Sequence, residues 1–260
     1  MLRRPTLMLT DESESMKIAV ISDIHGNLAA LEAVLADIQA RGVDLVVNLG
    51  DILSGALLPC ETADRLMALD FPTIKGNHER QVLSGDIRRM GLSDRRAHET
   101  MRADQRQWLE SLPTSLKLDD ILLVHGTPSS DVDYFLETVI ESGCRPATMS
   151  EILARAGAAD ASLILCGHTH LPKSVRLDDG RLIVNPGSVG LQAYDDDRPF
   201  FHVMETGTPH AKYAIVENSI GKWMSEHVSV NYDWEHAAAI ASANGRSDWI
   251  IPLQTGRYKN

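Results

Sequence analysis

Aspartates, histidines and asparagines recur along this 260-residue chain in short glycine-flanked clusters. These are Asp23-Ile24-His25-Gly26-Asn27, Gly50-Asp51, Gly76-Asn77-His78-Glu79, His125-Gly126 and Gly167-His168-Thr169-His170. Carboxylate oxygen, amide oxygen and imidazole nitrogen form a borderline-hard donor set suited to manganese, iron or zinc, with no thiolate in it. Asp23, His25, Asp51, Asn77, His125, His168 and His170 make seven candidate ligands, too many for one tetrahedral zinc. They suit two adjacent ions that share a bridging carboxylate. Two ions about 3.5–4 Å apart can clamp a phosphoryl group and generate a hydroxide nucleophile near neutral pH. Taken singly the clusters are weak signals, because a Gly-Asp after a strand is usually a turn and one His-x-His is often surface decoration. Their order and context carry the reading.

That context is a set of strands, each ending where a cluster begins. Residues 17–22 form a β-branched run typical of a buried strand, and 44–49 and 71–75 form two more. Between the first two, Leu28, Leu31, Val34, Leu35 and Ile38 fall on one helical face over 28–40, and Gly42 closes the helix. Pro59 suits the first turn of a helix to about residue 69. Residues 115–118 and 121–124 flank Asp119-Asp120 as a hairpin, and 162–166 lead into the His-Thr-His cluster. Helical patterns are expected near 86–112, 131–142, 147–156 and 233–243. Further strands are expected at 174–177, 182–185, 200–205, 212–217 and 227–231. The alternation argues for an α/β layered sheet, and ligands in open α/β sheets bind just outside the carboxyl ends of strands. Five loops would deliver the candidate residues to one edge.

Acidic side chains outnumber basic ones by 36 to 25, for a net charge of −11. That balance disfavours a nucleic-acid binder or nuclease, since phosphate-backbone affinity depends on Lys and Arg. Cys60, Cys144 and Cys166 form no CxxC pair, so reduced cysteines in a cytoplasmic protein are the plainer reading. No segment approaches the roughly 20 apolar residues of a spanning helix. Residues 1–15 read as a mobile leader or an upstream start. Residues 16–260 read as a single domain with helical insertions near 86–112 and 131–156.

The ordered clusters, together with Asn185-Pro186-Gly187-Ser188 after them, resemble those of the calcineurin-like metallophosphoesterase superfamily, and most of all its small bacterial and archaeal phosphodiesterases. The resemblance implies a four-layer α/β/β/α sandwich with the metals at the sheet edges. It implies Asp23, His25 and His170 on one metal and Asn77, His125 and His168 on the other, with Asp51 bridging. The cofactors implied are two divalent ions among Mn, Fe, Zn and Ni, with Mn favoured. His78 is implied outside the ligand set as a general acid or phosphate donor, with Glu79, where many relatives carry Asp, orienting it. The expected activity is hydrolysis of a small phosphate ester, a phosphomonoester or phosphodiester of nucleotide type, by a metal-bridging hydroxide with His78 assisting the leaving group. A diadenosine polyphosphate hydrolase shares these motifs. A retromer subunit of similar fold acts as a non-catalytic scaffold, against which the intact His78 and filled ligand positions argue.

The remaining histidines, His98, His202, His210, His227 and His236, read as surface or packing residues, with His98 on an exposed insertion near the substrate side. Cys166 ends an apolar run and reads as a buried, inert thiol. Asn27 and Ser188 suit turn formation as well as substrate or ligand support. Trp223, Trp234 and Trp249 suit packing of the C-terminal segment or the surface of a homo-oligomer. Asp195-Asp196-Asp197 reads as a solvated loop.

Overall fold

The computed structural model describes residues 16–219 and 221–259, so the leader expected at 1–15 lies outside the described residues. The chain opens with β1 (Met16–Ile21), α1 (Leu28–Arg41), β2 (Leu45–Asn48) and α2 (Pro59–Met67). Three helices follow, α3 (Asn77–Leu83), α4 (Leu92–Thr100) and α5 (Ala103–Ser111). Next come β3 (Leu116–Leu118), β4 (Ile121–Leu123), β5 (Glu137–Ile140), β6 (Gly143–Pro146), α6 (Met149–Ala156) and β7 (Leu163–Leu165). Then β8 (Lys173–Arg176), β9 (Leu182–Asn185), β10 (Ala193–Asp196), β11 (His202–Glu205), β12 (Ala211–Ser219) and β13 (Lys222–Val230) precede α7 (Trp234–Ala243) and α8 (Ile250–Thr255).

Two sheets form the centre, one in the order β13-β12-β1-β2 and the other β3-β4-β7-β9-β8. Strand alternation builds the layers. Ile18 and Val20 of β1 join Ala214 and Val216 of β12 in a core shared with Leu163 and Leu165 of β7 and Leu182 and Val184 of β9. The intervening residues point outward: Ala19, Ile21, Tyr213 and Ile215 meet Leu31, Val34, Leu35 and Ile38 of α1. On the far side Ile164 and Ile183 meet Ile152 and Ala156 of α6. Three cores separate four layers, α/β/β/α. Strands buried on both faces need near-continuous apolar runs, which is why they were readable in sequence.

Some elements differ from expectation. Residues 131–142 are not helical: Ser130 holds a turn through Val132 and Asp133, and β5 then pairs with β6 as a hairpin. The run Thr138-Val139-Ile140 favours strand over helix through its branched side chains. Residues 71–75 form only a single parallel bridge, Thr73 to Asn48, because Pro72 has no N–H to continue the ladder. The strand β10 and helix α8 were not anticipated. No helix among the described residues is long and apolar enough to cross a membrane.

Within each sheet the parallel pairs β1–β2 and β4–β7 end on the same side. The ladder continues into the loops: the amides of Asp23, His25 and Gly26 donate to the carbonyls of Gly50, Asp51 and Ile52 at 3.0, 3.0 and 2.8 Å. In the other sheet Gly167 N–H donates to His125 carbonyl at 2.7 Å. The loops are thus tied to one another before any side chain acts.

Candidate functional site

The strand-end loops hold unusual backbone. Asp23, His25, Asp51, His168 and His170 have φ between 51° and 70°, among seven non-glycine residues with positive φ in the described chain. Such conformations persist only where surrounding structure enforces them, and they cluster at functional sites. Two close approaches help enforce them. A Cβ on Gly76 would lie 2.1 Å from Asp51 Oδ1, and one on Gly167 would lie 2.9 Å from Asp23 Oδ2, so both positions need glycine.

The structure brings all seven expected ligands into one place, in two groups. The ligand atoms of Asp23, His25 and His170 lie within 4.8 Å of one another, as do those of Asp51, His125 and His168. In the first group His25 Nδ1 meets the Ser54 carbonyl at 2.7 Å and His170 Nδ1 meets that of Leu191 at 2.7 Å. A carbonyl only accepts, so both rings carry hydrogen on Nδ1 and present Nε2. The two Nε2 atoms face each other at 3.0 Å, and Asp23 Oδ1 lies 3.4 Å from that of His170. Asp23 Oδ1 is itself buried without a hydrogen-bond partner. Lone pairs converging on a buried carboxylate oxygen are costly by themselves and favourable around a cation.

In the second group His125 donates from Nδ1 to Leu49 carbonyl at 2.8 Å, and its Nε2 lies 3.0 Å from Asp51 Oδ2 and 3.1 Å from Asn77 Oδ1. His168 is arranged the other way round. Its Nε2 donates to Val132 carbonyl at 3.1 Å, which leaves Nδ1 as the donor atom toward a cation. The groups abut, with His125 Nε2 only 4.0 Å from Asp23 Oδ1. This donor set fits two neighbouring divalent ions.

The electrostatics differ between the rings. Burial, with the His170 charge, pushes His25 down to about 4, and burial with the His125 charge pushes His168 down to about 3. For His125 burial acts in the same direction, but Asp51 overrides it and raises the ring to about 10. Burial opposes ionisation of Asp51 too, and the charges on His125 and His78 hold it well below the usual carboxylate range. His78 is likewise opposed by burial and raised to about 9 by Asp51 and by its bond to Asp94.

His78 stands beside the ligands, its ring edge-on to His25 at 5.5 Å between centroids, and its backbone N–H donates to Asp51 Oδ1 at 3.0 Å. The carboxylate on its ring is not Glu79. Glu79 Oε2 accepts from the amides of Gly76 and Asp51, and Oε1 from that of Ile52, each at 2.8 Å. It caps α3 and ties the Gly-Asp loop to it, a reach that suits the longer arm of Glu. The ring partner is Asp94 of α4, whose Oδ1 lies 2.7 Å from His78 Nδ1 and accepts from Ser54 Oγ at 2.7 Å.

The ligands floor a cleft of about 470 Å³, walled by Tyr194, Asp195, Arg198, Arg246, Trp249 and Tyr258. A second cavity of about 500 Å³ shares Asn77, Gln81, His168, Asp196 and Arg198 with it and runs toward Tyr134 and β5. Sequence reasoning missed Asp94, Arg246 and the wall formed by the C-terminal segment. The one signal for Asp94 is its place three residues before buried Ala97, on the inward face of α4. Of the residues given bland readings, His98 bonds Val82 carbonyl, His202 bonds Tyr134, and Ser188 Oγ braces the Asp23 carbonyl at 2.7 Å. Asn27 caps α1, and burial holds the Cys166 thiol well above its ordinary range. Trp223 packs between the sheets and Trp249 in a cluster with α7 and α8, while Asp195 bonds Tyr258 at the cleft rim.

Comparison with known proteins agrees with this geometry. The profile of the calcineurin-like phosphoesterase superfamily domain matches residues 16–208. An uncharacterized protein of Methanocaldococcus jannaschii is 27% identical over 253 residues, covering 90% of this chain and 95% of its own. The crystal structure of a metallophosphoesterase from Sphaerobacter thermophilus is similar with a TM-score of 0.73 at 26% identity, over 92% of this chain and 98% of that one. A candidate diadenosine tetraphosphatase shares the fold with a TM-score of 0.50 at 16% identity, over 82% and 93% of the two chains.

Proposed function

The chain belongs to the calcineurin-like phosphoesterase superfamily and is a metal-dependent phosphoesterase; on that premise we propose that it hydrolyses small phosphate esters of nucleotide size, with His78 assisting the leaving group. The observation that carries this reading is the pair of abutting ligand groups, with the orphaned Asp23 Oδ1 at their junction. Asp23, His25 and His170 would hold one ion and Asn77, His125 and His168 the other, with Asp51 between them. Mixed oxygen and imidazole donors suit manganese, iron, zinc and nickel, and the family resemblance puts manganese first among them. Bound ions supply Lewis acidity toward phosphoryl oxygens and acidify water as the nucleophile.

The chain's own groups do the rest. The strand-end loops fix the ligands, and the Nδ1 bonds to Ser54, Leu49 and Leu191 carbonyls select the tautomer of three rings. His78 keeps Nδ1 on Asp94 and offers Nε2 to the cleft it lines, where a departing oxygen needs a proton. The second cavity supports a variant of this reading, a diester or dinucleoside polyphosphate substrate, because it gives a second substituent room beside Asn77 and His168. Three free cysteines accord with a cytoplasmic setting.

The test combines metal analysis with turnover of p-nitrophenyl phosphate, bis(p-nitrophenyl) phosphate and diadenosine tetraphosphate in manganese, zinc, iron and nickel. We expect about two ions per chain and hydrolysis of at least one ester. A chain that takes up both ions and hydrolyses nothing is a scaffold, and the reading fails.

A further inference from the structure

The geometry points to Asp94 as the positioning residue of His78, a role that rests on the reading of His78 as proton donor to the leaving group. Asp94 comes from outside the motif loops, on α4, yet its side chain is only 8% exposed and its Oδ1 receives both the His78 ring and the Ser54 hydroxyl at 2.7 Å. A carboxylate on Nδ1 fixes an imidazole in one orientation and one tautomer, with Nε2 toward the substrate. Glu79, the other acidic neighbour, is fully engaged by three backbone amides and is not placed to do this.

The surroundings hold Asp94 where it is needed. Ser54 works in two directions: its hydroxyl donates to Asp94 and its carbonyl accepts from His25. Arg246 Nη1 donates to the neighbouring Ser93 Oγ at 2.9 Å, and Arg96 donates to Leu57 carbonyl at 3.1 and 3.3 Å. Helix α4 is therefore pinned on both sides of Asp94, to the C-terminal segment at Ser93 and to the loop that follows Asp51 at Arg96. In the reaction, water forms the new bond to phosphorus as the bond to the leaving oxygen breaks. The electron pair of that broken bond takes the proton from His78 Nε2, and solvent restores the ring. Asp94 touches neither substrate nor reacting atoms; it keeps Nε2 aimed.

A purely structural role, tying α4 to the loop, predicts something different from a positioning role. The experiment uses the full chain loaded with manganese, the variants His78→Ala and Asp94→Asn and their combination, and two esters, p-nitrophenyl phosphate with a good leaving group and phenyl phosphate with a poor one. Asparagine at 94 keeps an oxygen for Ser54 but loses the charge. We expect Asp94→Asn to lower kcat on phenyl phosphate by about 10- to 1000-fold, with a smaller loss on p-nitrophenyl phosphate and unchanged KM and metal content. In the His78→Ala background the same change adds nothing further, because the two residues act as one unit.

Equal losses on both esters, or a full additional loss on top of His78→Ala, overturn the role of Asp94 while leaving that of His78 intact. A His78→Ala variant that slows both esters equally overturns the donor reading and this inference together. Asp94→Glu keeps the charge on a longer arm and carries the same comparison if the asparagine variant is unstable. It is expected to retain more phenyl phosphate activity than His78→Ala and to add no loss to it; an independent loss there overturns the inference.

Discussion

The floor of the cleft and its wall reach the same site by different physical routes. On the floor, loops at the ends of β1, β2, β4 and β7 carry the ligands, tied amide to carbonyl from one loop to the next. Asp23, Asp51, His125 and His168 stand two or three positions past the last residue of their strands, and His25 and His170 two further on, so position in the chain dictates position in space. Along the wall, α4 brings Ser93 to the cleft and Asp94 behind the His78 ring, and Arg246, Trp249 and Tyr258 arrive on the C-terminal segment, beyond the residues 16–208 matched by the superfamily profile. There tertiary packing, not a strand end, sets the position. The floor supplies a donor set for cations, and the wall supplies what orients His78 and bounds the substrate. Changes to the floor should therefore act through metal, and changes to the wall through turnover or stability with metal retained.

The largest effect that tests this division is Asp51→Asn. Asp51 sits where both groups meet: Oδ2 lies 3.0 Å from His125 Nε2 and Oδ1 receives the His78 amide. The loss of its charge should empty both positions together and lower activity by about 10³-fold or more. Metal analysis of the purified variant checks it. Unchanged stoichiometry would mean that Asp51 belongs to one ion alone and that the floor is two separate sites.

Glu79→Ala ranks next and sharpens the boundary between the two regions. Glu79 is 1% exposed and satisfies three buried amides at once. An unsatisfied buried donor costs about 1–3 kcal/mol, and water entering the space recovers part of it. We expect a loss of about 3–4 kcal/mol in metal-free stability, read by denaturant titration. If stability holds and only turnover falls, Glu79 belongs with the machinery around His78 and not with the loop scaffold.

This contrast also marks what the sequence could disclose. The four layers were legible because strands such as residues 18–21 and 163–165 are apolar on both faces and short. The ligands were legible because each follows a strand closely and its residue type is restricted by coordination chemistry. The segment 131–142 misled, because its apolar residues match a helical stripe while Thr138, Val139 and Ile140 prefer an extended backbone, and β5 forms there. Asp94 was hidden for a different reason. It is one acidic residue among 36, and only the packing of α4 against residues 54–57 gives it a partner. The role of Glu79 was hidden in the same way, since a carboxylate beside His78 in sequence turns its back on that ring in space.

Within the floor, protonation separates the two groups by about a factor of ten in affinity per pH unit. His25 and His168, at about 4 and about 3, are already neutral at pH 7 to 8. His125, at about 10, holds a proton on the nitrogen an ion would need. Metal binding to the Asp51 group should therefore release about one proton, and its affinity should rise about tenfold per pH unit below 10. The sign for the metal-free fold is the converse. A raised folded-state value stabilises fully below the ordinary histidine range, and that contribution is lost as pH rises through about 10. Calorimetric titration with manganese in buffers of different ionisation enthalpy counts the protons. Equal release from both groups, or none, would erase the distinction.

The smallest effect belongs to the wall. Arg246 is 9% exposed, pairs with Asp248 at 2.7 Å, lies 5.5 Å over the Trp249 ring and donates to Ser93. It is the clasp between the C-terminal segment and α4, and a cation over an aromatic face plus a bond to a neutral hydroxyl are together worth about 1–2 kcal/mol. Arg246→Ala should lower stability by about that amount and kcat by a few-fold at most, about one order of magnitude below the loss in Asp94→Asn. Metal content should not change, because no floor residue touches this side chain. Denaturant titration and metal analysis on the same preparation read both quantities. A variant that lost metal in proportion to activity would show that the C-terminal segment holds the floor as well as the wall, and the two regions would have to be treated as one.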